Sequence, residues 1–315
     1  MLPYRRTPLF AAIGLLAAFF IAACGGQDAP PADEAAADAT PLAEDAEVEL
    51  VAGGFQFTEG PYWRPEEGDL IFSDIPANRV YRWTPEGDTT VFLEPSGHSN
   101  GITADAQGRI LLAQHDGQVA RLTADGDGEP LATEYEGQRL NSPNDLDVHS
   151  DGSIYFTDPP YGVSDEEREL DFSGVYRLHP DGTLDLLTRE FERPNGICFS
   201  PDESRLYVND SQENLVRVYD VAADGSISNG RLFAEPNDPD ADGAADGMKV
   251  DTEGNLYTTG PGGVWIYSPD GALLDRLPVP EAPTNLAFGG PDMQTLYITA
   301  RPNVYRVPVN IPGVK

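Results

Sequence analysis

Six oxygen-bearing residues stand at equivalent places in a repeated pattern: Glu59, Asn100, Asn144, Asn195, Asp246 and Asn285, each heading a short run of alternating apolar residues. Two are carboxylates. Carboxylates gathered at one point repel and raise one another's pKa unless a positive charge lies between them. Together with amide carbonyls they form a hard oxygen set, suited to Ca²⁺ with its roughly 6 to 8 ligands, or to Mg²⁺ or Mn²⁺. Zinc draws mostly on His and Cys, which the six lack. Calcium is therefore the expected ion, with Mg²⁺, Mn²⁺ or Zn²⁺ as alternatives. The competing reading is that Asn and Asp here are turn formers that satisfy nearby backbone groups.

The elements that must position these residues are hairpins. In Ser142 to Gly162, SPNDLDVHSDGSIYFTDPPYG, Leu146, Val148, Ile154 and Phe156 alternate as in half-buried strands, and Asp151-Gly152 between them is a hairpin turn. Similar units start at Thr58, Ser99, Arg193, Ala245 and Pro283, spaced about 45 residues apart. Third strands follow at Val80, Val119, Val175, Leu215, Val264 and Val304, and weaker fourth strands at Thr90, Leu184, Arg231 and Leu273. Four strands per unit is the pattern of a propeller blade. The fold expected is all-β, a six-bladed propeller with a metal site in its central channel. Val48 to Val51 is expected to supply the last unit's missing strand and close the ring, leaving no open edge.

Composition agrees. Gly 32 and Pro 28 of 315 residues make about a fifth of the chain, spread between short apolar runs, which implies many turns. The formal net charge of −33 disfavours nucleic acid and anionic membrane surfaces as partners. A small-molecule substrate and a monomer are expected.

Residues 1–23 combine Arg5-Arg6 with an uncharged apolar run from Leu9 to Ala23, too short for a membrane span and the right size for a signal peptide. Ile21-Ala22-Ala23-Cys24 looks like a bacterial lipobox, making Cys24 the lipidated mature N-terminus. The expected location is periplasm-facing or at the cell surface, held at the outer membrane through that anchor alone. Residues 24–46, rich in Ala, Asp, Glu and Pro, should form a disordered acidic tether. The propeller is expected over 47–315. Cys198, in an alternating run, reads as a buried small apolar residue.

From about Thr58 to Val309 the chain resembles the senescence-marker-protein (regucalcin)/gluconolactonase family of six-bladed propellers. The resemblance rests on Thr58-Glu59-Gly60-Pro61, Ser142-Pro143-Asn144-Asp145, Pro194-Asn195-Gly196, Asp246-Gly247-Met248 and Thr157 to Gly162. It implies a divalent cation held by Glu59, Asn195 and Asp246, with Asn144 as a further ligand or a contact to substrate. It also implies hydrolysis of sugar-type lactones. Asp246, metal-proximal and able to take a proton, is the expected general base, with Glu59 as the alternative. Asn100 and Tyr161 are expected to touch substrate. Animal members carry Arg where this chain has Ser142, so sugar-hydroxyl contacts do not transfer to that position. Two other readings are a promiscuous esterase or phosphotriesterase of the same fold, and a non-enzymatic propeller that binds a protein or glycan and keeps a structural cation.

Two motifs point elsewhere. Gly97-His98-Ser99-Asn100-Gly101 fits G-x-S-x-G, but a hairpin pattern follows where a nucleophile elbow needs a helix. Asp238, Asp240 and Asp242 begin like an EF-hand loop, yet position twelve is Lys249 where a bidentate Glu is required.

Overall fold

The computed structural model describes residues 40–43 and 46–314. The expected signal segment, Cys24 and most of the expected tether lie outside the described residues. All named regular elements are strands, arranged as six four-stranded antiparallel sheets and one short hairpin, Glu134–Tyr135 with Gln138–Arg139.

Each blade runs from an inner strand outwards. The inner strands are Thr58–Arg64, Ser99–Ala104, Leu146–Val148, Pro194–Phe199, Met248–Val250 and Pro283–Gly289 in blades 1 to 6. Their partners are the second strands Asp69–Asp74, Ile110–Gln114, Ile154–Asp158, Arg205–Asp210, Leu256–Gly260 and Thr295–Ala300. Blade 6 takes its outermost strand, Glu49–Gly53, from the start of the propeller; it pairs antiparallel with Asn303–Pro308. The ring therefore closes through backbone hydrogen bonds between its two ends, as the expected strand at Val48 to Val51 required. Blade 2 has a fourth strand that the sequence pattern missed, Gly128–Ala132. Its first three residues are exposed, so it has no need of the alternation that betrays a half-buried strand.

The core lies between blades, where aromatic side chains act as wedges. Trp63 of blade 1 stacks on Tyr297 of blade 6 with ring centroids 5.4 Å apart. Tyr155 of blade 3 meets Phe199 of blade 4 edge-on at 4.8 Å, and Tyr257 of blade 5 meets Phe288 of blade 6 at 5.0 Å. Each such pair is worth about 0.5–1.5 kcal/mol beyond simple burial. Blades 1, 3 and 4 also share a polar device. Asp74 accepts the amides of Gln56 and Phe57 (both 3.1 Å), Asp158 that of Asn141 (2.8 Å), and Asp210 those of Glu192 (2.7 Å) and Arg193 (3.2 Å). Each carboxylate fixes the loop that leads into its own inner strand.

The end of the expected tether is corrected. Leu42 is buried and bridges to Val309, and Asn310 donates through its backbone to Pro41 O (3.0 Å) and through its side chain to Thr40 O (2.8 Å). One apolar side chain with a complementary groove is enough to bring residues 40–43 onto the domain.

Candidate active site at the upper mouth of the channel

The inner strands all start at one end of the channel, here the upper mouth, so their leading residues meet there. Regular pairing fails at that level. Register shifts fall between Glu59 and Tyr62, Ser99 and Ile102, Pro194 and Ile197, and Pro283 and Asn285. In blades 3 and 5 pairing begins only at Leu146 and Met248, below Asn144 and Asp246. Bulged or unpaired residues are released from the alternating faces of the sheet and re-aim their side chains.

A belt of hydrogen bonds joins every blade to the next at this level. Ser73 Oγ donates to Asn100 O (2.8 Å), Gly101 N to Asn144 O (2.8 Å) and Thr157 Oγ1 to Asn195 O (2.6 Å). Gly196 N donates to Asp246 O (3.1 Å), Gly247 N to Thr284 O (2.7 Å) and Thr284 Oγ1 to Thr58 O (2.7 Å). The contact is too close for side chains. At Gly60, where φ is +47°, a Cβ would lie 1.9 Å from Asn100 O, and at Gly196 it would lie 2.2 Å from Asp246 O. At these two positions glycine is thus required for the close approach of neighbouring blades.

The heading side chains then divide into two groups. Asn100, Asn195 and Asp246 each keep one buried Oδ1 that no donor reaches. For the two amides the orientation is fixed from behind. Asn100 Nδ2 lies 3.2 Å from His115 Nε2, and burial pushes the His115 imidazole down to about 4, so near neutrality it is uncharged and accepts this bond. Asn195 Nδ2 donates to Ser211 Oγ (3.0 Å), which itself donates to Ala245 O (2.7 Å). Both amide nitrogens are engaged, leaving both oxygens free. Asn144 is 3% exposed, and its side chain forms no hydrogen bond among the described residues.

Asn285 behaves differently. Its Oδ1 accepts the amide of Leu286 (2.8 Å) and its Nδ2 reaches Asp145 Oδ2 from the opposite side of the channel (3.4 Å). Its oxygen is consumed, and it works as a bridge across the channel. Asp145, fully within the protein, is the carboxylate that the sequence pattern did not single out. A signal was present: four of the other five heading residues are followed by Gly, and Asn144 by Asp.

Three carboxyl groups therefore share the upper channel. Burial pushes Glu59 up to about 7, opposed by the bond from Gly60 N (2.9 Å) and reinforced by Asp145. Asp246 is raised well above the carboxylate range by burial, then by Glu59 and Asp145. Asp145 is raised by burial and held back by Lys249. Buried acceptors without donors cost about 1–3 kcal/mol each. The two free amide oxygens together with the crowded carboxyls, Asp246 among them, fit a hard cation, and neutral amides and carboxylates match the donor chemistry of Ca²⁺ better than that of zinc.

Tyr161 lies over the same mouth. Its loop is pinned by Ser142, whose Oγ donates to Pro159 O (2.5 Å) and accepts from Gly162 N (2.8 Å). The ring is 38% exposed, stacks beside His115 (centroids 6.5 Å) and carries Arg193 on its face (5.2 Å). The G-x-S-x-G serine is structural, since Ser99 Oγ is fully buried 2.9 Å from Ser73 Oγ. Asp238 pairs with Arg276 (2.7 Å), and Cys198 is buried with its thiol pushed far up by desolvation.

Residues 57–301 match the SMP-30/Gluconolactonase/LRE-like region. The chain belongs to this family. It is 38% identical over 286 residues to a gluconolactonase from Zymomonas mobilis, covering 82% of this chain and 80% of that protein. The structure of a Xanthomonas campestris gluconolactonase superposes with a TM-score of 0.79 at 36% identity, over 87% of this chain and 92% of the other. Regucalcin from Agrobacterium tumefaciens, described as a calcium-binding protein, shares the fold with a TM-score of 0.72 at 23% identity, over 85% and 95%. The SMP-30/gluconolactonase membership agrees with the motifs at Glu59, Asn144, Asn195 and Asp246.

Proposed function

We propose that this protein is a divalent-cation-dependent hydrolase of sugar-type lactones. Glu59, Asn144, Asn195 and Asp246 would hold the cation, Ca²⁺ in the first instance, and Asn100 and Tyr161 would face the substrate. The observation that supports this most directly is the set of buried, donorless oxygens on Asn100, Asn195 and Asp246. When bound, the cation would supply Lewis-acid polarisation of the lactone carbonyl and stabilise the negative charge that develops on its oxygen.

The chain's own groups do the rest. Asp246 is the less buried of the two residues, Glu59 being 3% exposed, and is the carboxyl to which we assign proton transfer. Asp246 would take a proton from the attacking water and return it to the departing ring oxygen, giving the hydroxy acid. His115 and Ser211 hold the amides in register. Tyr161 shields the mouth from bulk water. Export and anchoring through Cys24 are part of this proposal; labelling with a palmitate analogue, lost in Cys24→Ser, tests them.

The decisive experiment is pH-stat hydrolysis of a panel of lactones before and after chelation. We expect turnover that chelation abolishes and Ca²⁺ restores. Absence of turnover on every lactone, with chelation still lowering thermal stability, would instead make the domain a binding propeller with a structural cation.

A further inference from the structure

The upper mouth carries charge that the reaction itself does not use. Of the sixteen arginines among the described residues, ten are ion-paired, as expected in a chain with 53 acidic residues. Two that flank the site are not. Arg193 immediately precedes the inner strand of blade 4, and its guanidinium lies over the Tyr161 ring, 5.2 Å from the centroid. Arg301 follows the second strand of blade 6 and lies over the Phe57 ring at 5.0 Å. Neither side chain makes a hydrogen bond or ion pair among the described residues, although both are exposed.

Their positions are built. Arg193 N is tied to Asp210 Oδ2 (3.2 Å), and Phe57 N to Asp74 Oδ1 (3.1 Å), so the strand-end carboxylates fix the backbone of one arginine and of the other's platform. Tyr161 is held in turn by Ser142. A guanidinium lying over an aromatic ring keeps its N–H edge open, and that planar fork matches carboxylate or phosphate in two parallel bonds. Asp246 is close enough to feel the charge of Arg301, yet its Oδ1 receives no bond from it. Arg301 is thus near Asp246 without being spent on it, and Arg193 lies at the same mouth against Tyr161.

We propose that the substrate is a lactone bearing a terminal oxyanion, a carboxylate or phosphate, which Arg193 and Arg301 bind while the ring carbonyl lies over Asp246. This rests on the lactonase reading above and narrows it. A neutral aldonolactone would leave both guanidiniums facing only water.

The test compares kcat/KM for a neutral hexonolactone, for its analogue with C6 oxidised to a carboxylate, and for its 6-phosphate, in wild type, Arg193→Gln, Arg193→Lys and Arg301→Gln. We expect at least one anionic lactone to exceed the neutral one tenfold or more. Arg193→Gln should lower that ratio about tenfold, Arg193→Lys should restore part of it, and raising ionic strength should shrink it. Equal or better use of the neutral lactone, or a ratio unmoved by both glutamine variants, overturns the proposal while leaving the lactonase reading intact. Should no lactone be opened, calorimetric binding of the 6-carboxylate lactone decides. More than tenfold weaker binding in Arg193→Gln supports the anion site, and unchanged or undetectable binding in wild type overturns it.

Discussion

The two mouths of the channel make an instructive pair. At the lower end a cavity of about 260 Å³ is lined by Tyr62, Trp63, Phe199, Phe288, Asp147 and Lys249, with Val314 of the C-terminal segment across it. It has volume and charge, yet its polar groups are satisfied. Asp147 accepts the amides of Val148 (2.9 Å) and Phe199 (3.0 Å), and Lys249 Nζ donates to Met248 O (2.9 Å). The upper mouth has the reverse character, with acceptors aimed inward and no donors to meet them. Unpartnered acceptors also occur singly elsewhere, as at Asp158 Oδ1, but here three stand on equivalent strand starts around one axis, and that convergence, more than space, marks where a ligand belongs.

The sharpest way to break this contrast is Asp246→Asn. It removes the carboxyl proposed for proton transfer and should lower lactone turnover by about 10²–10⁴-fold in a pH-stat assay, with the fold retained by circular dichroism. Loss of less than tenfold would move the proton-transfer role to Glu59. Gly196→Ala comes next. Its Cβ would lie 2.2 Å from Asp246 O, so the belt must open, and we expect a loss of about 1–3 kcal/mol in denaturant unfolding together with falling kcat.

A third test uses pH. With Glu59 at about 7 in the folded, cation-free protein against 4.5 in the unfolded chain, the folded state binds the extra proton between those values. Stability of the chelated protein should therefore be fullest below pH 4.5 as far as this group is concerned, and be lost progressively as pH rises through 7. Thermal melts across that range should show the decline, and Glu59→Gln should flatten it. The smallest effect on activity is expected at the lower mouth. Met293→Ala enlarges that cavity and should cost about 2–5 kcal/mol, while kcat/KM stays within twofold. A larger change in kcat/KM would mean that the lower mouth takes part in catalysis.

Much of the architecture was legible in the chain. Alternation at Leu146, Val148, Ile154 and Phe156, repeated six times around Gly-containing turns, leaves a four-stranded blade as the unit, and the spare strand at Glu49–Gly53 closes the ring. Glu59, Asn144, Asn195 and Asp246 were readable because they occupy one position of the repeat. Asp145, Ser211 and Arg301 were not, since each acts through a neighbour supplied by another blade or another strand.

What the sequence determined by itself is periodicity, because the strand period and turn chemistry are local properties of the residues. It also named the candidate ring, since six equivalent positions must face one axis. Only the tertiary structure decided which of those side chains are free. Asn100 and Asn285 head equivalent strands, yet His115 engages the nitrogen of one and Leu286 the oxygen of the other. Across the channel Asp145 of blade 3 then meets the Asn285 nitrogen, a partner 140 residues away that only closure of the ring brings into reach.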